Sequence, residues 1–354
     1  MAVTRLTLRL AQQLRVVIDG ILDRTVRELV EAWARAWQVI DAEWVAAMDE
    51  LVEMSTDGQW PTAAQVFRAT AAQAALASAT REILDLSEFT GVTVVAAARE
   101  VTEEVAVWQS RLIASQLPRT AAVGAMLRPM PDQVLAAIVE RTTEQIESRR
   151  QPLSVDAAEA MKQALVRGIV VGENPRVTAR RMVDRAEHRF NGGLTRAMSI
   201  ARTEVMDAHR SATAAYQLEQ TDVLRGWAWH AKLDTRTCPS CWAKHGTEHE
   251  LTETGPDDHP QGRCARTPLT KSWAELGIDL DEPDSLLPDA RASFDALPRG
   301  DKLRVLGPVR LKALEDGAIG WEDLSVLRTS DGWRDSWVPV PVQDARRSLV
   351  SVAR

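Results

Sequence analysis

Apolar residues recur at spacings of three and four along the first part of the chain, which predicts long amphipathic helices. The clearest stripe is formed by Val26, Leu29, Val30, Trp33, Trp37, Ile40, Trp44, Met48 and Leu51. Gly58 and Pro61 interrupt this helix, an alanine-rich helix follows to about Leu86, and a third begins near Val92. We therefore expect an N-terminal helical region over 1–117, with the tryptophan stripe packed in its core.

A cluster of helix-breaking residues ends this pattern. Pro118, Gly124, Pro129 and Pro131 lie close together, and helices rarely pass through such a cluster. We place a hinge or linker at 118–131.

The pattern after the hinge is again helical. It predicts helices near 132–149, 154–170 and 176–189, then a turn at Asn191-Gly192-Gly193. A long helix with a stripe of small residues follows and carries Arg202-Thr203-Glu204. These elements make up a predicted helical core over 132–220.

The period of the pattern changes after this core. Trp227, Trp229 and Ala231 alternate with other residues, which is typical of a β-strand. A small β-containing module is expected over 221–270. The remaining residues, 271–354, are rich in proline and glycine and predict a C-terminal tail of short helices and turns.

Composition excludes several classes of protein. The 354 residues are 45% hydrophobic and 26% charged, as in a globular protein, and the net charge is −7. An acidic chain is a poor candidate for broad electrostatic binding of DNA. No apolar run is long enough to span a membrane, and Arg5, Arg9 and Arg15 interrupt any signal-peptide core. We expect a protein that is made and kept in a cytosol.

All three cysteines lie in one short segment, which reads Cys238-Pro-Ser-Cys241, then His259-Pro-Gln-Gly-Arg-Cys264. The spacing is C-x2-C-x17-H-x4-C, and three cysteines with one histidine are a common ligand set for structural zinc. Four protein ligands leave no open coordination position, so such a metal would be structural rather than catalytic. The fold class that we expect is mainly α: an elongated helical body, a small β-containing zinc-binding module and a turn-rich C-terminal tail.

Other interpretations of the cluster remain open. The three cysteines could be free buried thiols, or Cys238 and Cys241 a redox pair, although the third cysteine and the missing βαβ pattern disfavour the latter. His245 is the alternative fourth ligand, and His230 and His249 are weaker candidates.

The catalytic motifs that use zinc do not fit this segment. The H-x-E element of zinc deaminases and the H-E-x-x-H element of zincins are both absent. A nuclease of the HNH type is harder to exclude, because Asp257, Asp258 and His259 could bind a metal. The basic and acidic residues of 225–270 balance, however, so the segment offers no basic surface for phosphates.

The order of motifs resembles the phage Mu F-like minor head proteins, the head morphogenesis family. The resemblance covers about 194–268 and is carried by Ala201-Arg202-Thr203-Glu204, Trp229, Asp234-Thr235-Arg236-Thr237-Cys238-Pro239-Ser240-Cys241, His245-Gly246 and His259-Pro260-Gln261-Gly262-Arg263-Cys264. The family often has a cysteine where this chain has Gly262. The remaining ligands are Cys238, Cys241, His259 and Cys264.

The resemblance implies a structural protein of the virion, not an enzyme. It implies a minor capsid protein at the head interior or portal vertex, assembled in the host cytoplasm, with the portal or the major capsid protein as partner. Contact with packaged DNA during ejection is a weaker implication, and neither a membrane nor a small-molecule substrate is implied.

Two other functions stay open. One is the metal-dependent nuclease acting on phage DNA, and the other is a zinc adaptor that binds another protein through its tryptophan-rich helix. We also expect Arg202 or Glu204 to pair with Asp234 or Arg236 and so to join the long helix to the zinc module.

Overall fold

The computed structural model describes residues 3–55, 61–62, 65, 69–119, 127–148, 175–330 and 333–352. These parts of the chain are mainly α, as the sequence predicts. The predicted helix over 154–170 lies outside the described residues, as does half of the predicted hinge at 118–131, namely residues 120–126.

Eight helices are found in the described residues. They are α1 (Arg5–Glu53), α2 (Thr70–Ala114), α3 (132–148), α4 (Pro175–Leu218), α5 (Pro239–Lys244), α6 (Ala290–Asp295), α7 (Arg299–Glu315) and α8 (Val342–Val352). None of these described helices is long and apolar enough to cross a lipid bilayer.

Two of the predicted helix breaks are wrong. α2 continues through the expected gap between Leu86 and Val92, and α4 continues through Asn191-Gly192-Gly193. A glycine inside a helix costs only about 1 kcal/mol relative to alanine, so a well-packed helix tolerates it. Val94 after the first break is fully buried and supplies such packing.

The strands form two small antiparallel sheets. They are β1 (Leu224–His230), β2 (Glu248–His249), β3 (Ala265–Thr270), β4 (Ser325–Ser330) and β5 (Trp333–Pro339). The first sheet has the order β2-β1-β3, and β4 pairs with β5 as a hairpin. In the first sheet Trp227 lies opposite His249, and Trp229 lies opposite Arg266.

The chain divides into two compact units. The first, which we call the cysteine unit, consists of Met1–Asp19, Val101–Ile138 and Met206–Arg354. The second, the helical unit, consists of Gly20–Glu100 and Val139–Val205. α1, α2, α3 and α4 each contribute to both units.

The tryptophans of the α1 stripe lie in the core of the helical unit, whereas Val30, a predicted member of the same stripe, is exposed. Trp33 and Trp37 pack on the ring of Phe190 in α4, with ring centroids 6.2 and 5.3 Å apart. The side chains of Trp33 and Trp44 are 4% and 1% exposed. These tryptophans are therefore packing residues, as the helical spacing predicts.

β1, the central strand of the three-stranded sheet, is buried on both faces. Trp227, Ala228 and Trp229 are all buried, so the alternation in the sequence does not separate a polar face from an apolar one. The outer edge of β3 is covered by Gln116, which donates to the Pro268 carbonyl at 2.7 Å and accepts from the Thr270 amide at 3.3 Å. A covered edge cannot pair with another chain.

The C-terminal segment shares a hydrophobic core with α5. Buried Phe294 of α6 lies against Trp242 of α5, with ring centroids 5.7 Å apart. α7 is kinked at Gly307, whose φ of 72° favours glycine. The C-terminal segment, for which the sequence predicts short helices and turns, thus also contains the β4–β5 hairpin.

Candidate metal centre

The first two cysteines lie at the start of α5. Cys238 is the N-cap of this helix, and its sulfur accepts a hydrogen bond from the Cys241 amide at 3.4 Å. Pro239 occupies the first helical position, where its missing N–H and fixed φ suit a helix start. The C-x-x-C spacing therefore places both thiols on one turn.

The other two predicted ligands come from the loop between β2 and β3. His259 lies within this loop, and Cys264 immediately precedes β3. Gln261 has a φ of 61°, which marks a tight turn between the two ligands. The turn is closed by the Gly262 amide, which donates to the His259 carbonyl at 2.9 Å.

The structure brings these residues together in two overlapping groups. Ligand atoms of Cys238, Cys241 and His259 all lie within 4.8 Å of one another. The same holds for Cys241, Asp258 and Cys264, so Cys241 belongs to both groups. Sulfur ligands about 2.3 Å from a tetrahedral zinc would be separated by about 3.8 Å. The four predicted ligands are therefore close enough to bind one metal ion.

The ring of His259 is oriented for metal binding. Its Nδ1 lies 2.8 Å from the Pro260 carbonyl, to which it can donate its proton. In the neutral ring that donates this hydrogen bond, the lone pair lies on Nε2. Histidine ligands of metals commonly have their other ring nitrogen fixed in this way.

The thiols and the imidazole share protons in the absence of a metal. A hydrogen bond from the Cys241 thiol, with His259 nearby, lowers the pKa of Cys238 to about 5. A hydrogen bond between His259 and the Cys238 sulfur in turn raises the pKa of His259 to about 9. Hydrogen bonds to Cys238 and Cys264, together with burial, raise the pKa of Cys241. A metal ion that binds here must displace these protons.

The other histidines have different neighbours. His245 accepts a hydrogen bond from the Ala231 amide at 3.0 Å, and its ring lies edge-on to His230. His230 bonds the Thr267 hydroxyl at 2.8 Å. His249 stacks on Trp227, with ring centroids 4.3 Å apart. Among the described residues none of the three belongs to either ligand group.

Arg210 of α4 forms hydrogen bonds with the loop that carries His259 and Cys264. Its Nε donates to the Cys264 carbonyl at 3.0 Å, and its Nη2 donates to the Gly262 carbonyl at 2.9 Å. The two terminal nitrogens also lie 2.8 Å from the two oxygens of Asp258. Burial alone would lower the pKa of Arg210, but Asp258 and Asp207 raise it above its usual value.

Sequence reasoning missed Arg210 and expected the contact from Arg202 or Glu204. The carboxylate of Asp234, one of their expected partners, accepts hydrogen bonds from both terminal nitrogens of Arg263 at 2.7 and 3.0 Å. The available signal for Arg210 was its position on the small-residue helix between Ala208 and Ala212, both of which are buried.

The β4–β5 hairpin contacts both segments that carry the ligands. The Trp337 amide donates to the Asp257 carbonyl at 2.7 Å, which fixes the loop before His259. The Lys244 ammonium lies 3.2 Å from the centre of the Trp337 ring, and the hydroxyls of Ser240 and Ser325 are 2.6 Å apart. The hairpin thereby holds α5 and the loop side by side.

The comparisons with known proteins identify one family. Residues 159–267 match the model of a family described as Phage Mu protein F like protein. The matched range is a little under a third of the chain and includes every residue of the two ligand groups. No curated protein and no solved structure matches. The match agrees with the order of motifs in the sequence, and residues 159–267 are similar to this family.

Proposed function

We propose that this chain is a minor head protein of a phage, which takes part in head assembly and is stabilised by one structural zinc ion. The observation that carries the proposal is the family match over 159–267, because that range contains all four predicted ligands. The expected location is the head interior or the portal vertex of the virion. The expected partner is the portal or the major capsid protein.

The donor set suits structural zinc. Three thiolates and one imidazole nitrogen are soft and borderline ligands that zinc prefers, and together they fill a tetrahedron. When bound, the ion would cross-link the start of α5 to the loop before β3. Cys238 and Cys241 would hold it from the helix, and His259 and Cys264 would hold it from the loop. The ion would thus contribute binding free energy to the folding of the module.

Metal analysis of the purified full-length chain tests the zinc proposal. Protein prepared under reducing conditions should contain one zinc ion per chain by elemental mass spectrometry. Cys238→Ser and Cys264→Ser should each lose the metal and yield less soluble protein. His249→Gln is the matched control, since His249 lies in the same module outside the ligand groups, and it should retain the metal. Wild-type protein without bound zinc would refute the proposal.

The role in the head is tested in the phage that encodes the chain. Purified virions should contain the protein in few copies, and cross-linking should join it to the portal or the major capsid protein. Phage deprived of the protein should produce fewer DNA-filled heads. Normal yields of infectious, DNA-filled particles without the protein would rule out a role in head assembly.

We further propose that the chain is not an enzyme. The nuclease alternative needs Asp258 or Asp257 as a metal ligand beside His259. Both oxygens of Asp258 instead face Arg210, which disfavours that use. The direct test is incubation of the protein with plasmid DNA and Mg²⁺ or Zn²⁺. Cleavage that disappears in a folded His259→Ala variant would establish the nuclease instead.

A further inference from the structure

The site offers more donor groups than a tetrahedral metal ion can use. The two ligand groups together supply three thiols, the imidazole of His259 and the carboxylate of Asp258. Zinc accepts a carboxylate oxygen at nearly the same distance as an imidazole nitrogen. Asp258 and His259, which are adjacent in the chain, are therefore alternative donors for the fourth coordination position.

Both oxygens of the buried Asp258 carboxylate lie against the guanidinium of Arg210. Oδ1 and Oδ2 each lie 2.8 Å from one terminal nitrogen of Arg210. Oδ2 also accepts a hydrogen bond from the Cys264 amide at 3.2 Å. Asp258 is completely buried, and the Arg210 side chain is 5% exposed. To reach a metal, the carboxylate would have to leave a buried, paired cation, which is strongly unfavourable.

Arg210 is itself fixed in place, so it cannot follow Asp258 towards the metal. Its Nε and Nη2 donate to the carbonyls of Cys264 and Gly262, and its Nη1 donates to Asp207 at 3.0 Å, one turn earlier in α4. The planar guanidinium makes all these contacts at once, and a lysine ammonium has no such fork.

We propose that Arg210 selects the ligand set of the metal centre: it holds both oxygens of Asp258 away from the metal and so leaves the fourth position to His259. This inference rests on the metal centre proposed above. Arg210 acts through Asp258 and does not touch the metal, so it is a positioning residue.

The ligand set can be counted by X-ray absorption at the zinc edge and followed by the visible spectrum of the cobalt-substituted full-length protein. Wild type should show three sulfur ligands and one nitrogen. In Arg210→Gln and Arg210→Lys the carboxylate should replace His259, so each should lose the outer-shell scattering of the imidazole ring and change the cobalt spectrum. Asp258→Asn should keep the wild-type spectrum, and adding Asp258→Asn to Arg210→Gln should restore it. A purely structural role for Arg210 would change stability without this spectral change and without this rescue.

A second variant tests the same inference with Arg210 intact. In His259→Ala the fourth position should stay open, because Asp258 remains held, and added imidazole should bind there and restore the wild-type cobalt spectrum. A spectrum of His259→Ala that does not respond to imidazole would mean that Asp258 has moved in, and it would overturn the inference.

The outcomes separate this inference from the proposal on which it rests. Wild-type protein without metal refutes the zinc centre itself. Wild-type protein with three sulfur ligands and one nitrogen, together with the same ligands in the Arg210 variants, refutes only the role of Arg210. If neither Arg210 variant folds, the imidazole response of His259→Ala decides.

Discussion

Gly262 leaves the space that the carboxylate of Asp258 fills. A Cβ atom built on Gly262 would lie 1.9 Å from Oδ2 of Asp258 and 2.1 Å from its Cγ. This chain thus combines a missing side chain with a buried carboxylate in the same volume. The pair of Asp258 and Arg210 thus depends on the glycine.

Replacement of Gly262 by alanine should therefore destabilise the cysteine unit. The new methyl group must displace the carboxylate, and overpacking of a buried site typically costs about 1–3 kcal/mol. Denaturant unfolding of Gly262→Ala should show a free energy of unfolding lower by that amount. Gly300→Ala is the control, because a Cβ on Gly300 meets no atom within 4 Å. Equal stability of the two variants would contradict this packing.

At the scale of the elements, α4 shows where local signals fail. Asn191-Gly192-Gly193 predicts a turn, but the helix continues through it to Leu218. Phe190 before the glycines is 2% exposed, and Ala197 and Ala201 after them are fully buried. Burial on both sides outweighs the weak helix propensity of glycine, and this tertiary term is not readable from a local pattern.

Gly192→Ala should stabilise the protein by about 0.5–1 kcal/mol, because alanine loses less backbone entropy in a helix. A Cβ on Gly192 meets no atom within 4 Å, so the gain carries no steric cost. Gly317→Ala is the matched comparison: the space around Gly317 is also open, but its φ is 71°. The midpoint temperature of thermal unfolding should be higher than that of wild type for Gly192→Ala and lower for Gly317→Ala. A fall for Gly192→Ala would argue for a break in α4.

Sequence reasoning predicted the parts of the structure that depend on short spacings. The helical stripes of α1 and the C-x-x-C turn are such parts, and the spacing C-x17-H-x4-C identified the four residues that the structure brings together. The contact of Arg210 with Asp258 joins residues 48 positions apart. No periodicity marks such a contact, so it could not be predicted from one sequence.

At the scale of the whole molecule, the cysteine unit gathers three imidazoles that stay neutral. Burial lowers the pKa of His209 and His230 to about 3 and that of His245 to about 4. Nearby groups also lower these pKa values: Arg210 and Arg15 for His209, His245 and then Arg15 for His230, and Arg15 for His245. These histidines come from α4, from β1 and from the turn after α5, so their protonation acts on the unit as a whole.

Stability should therefore fall as the pH drops from about 6.5 towards 4. In this range the unfolded chain binds protons at these histidines and the folded chain does not, which favours unfolding by about 1.4 kcal/mol per pH unit for each histidine. His259 adds no slope below about pH 5.5, because an unfolded histidine is already protonated there and the raised pKa of His259 keeps it protonated in the metal-free folded chain. Chemical denaturation of wild type at several pH values should show the loss, and His209→Gln should reduce its slope by about 1.4 kcal/mol per pH unit, the contribution of one histidine. His188→Gln should match wild type, since His188 is exposed. Any release of metal in acid is common to all three proteins, so an identical pH dependence in His209→Gln would show that His209 is not held neutral in the folded protein.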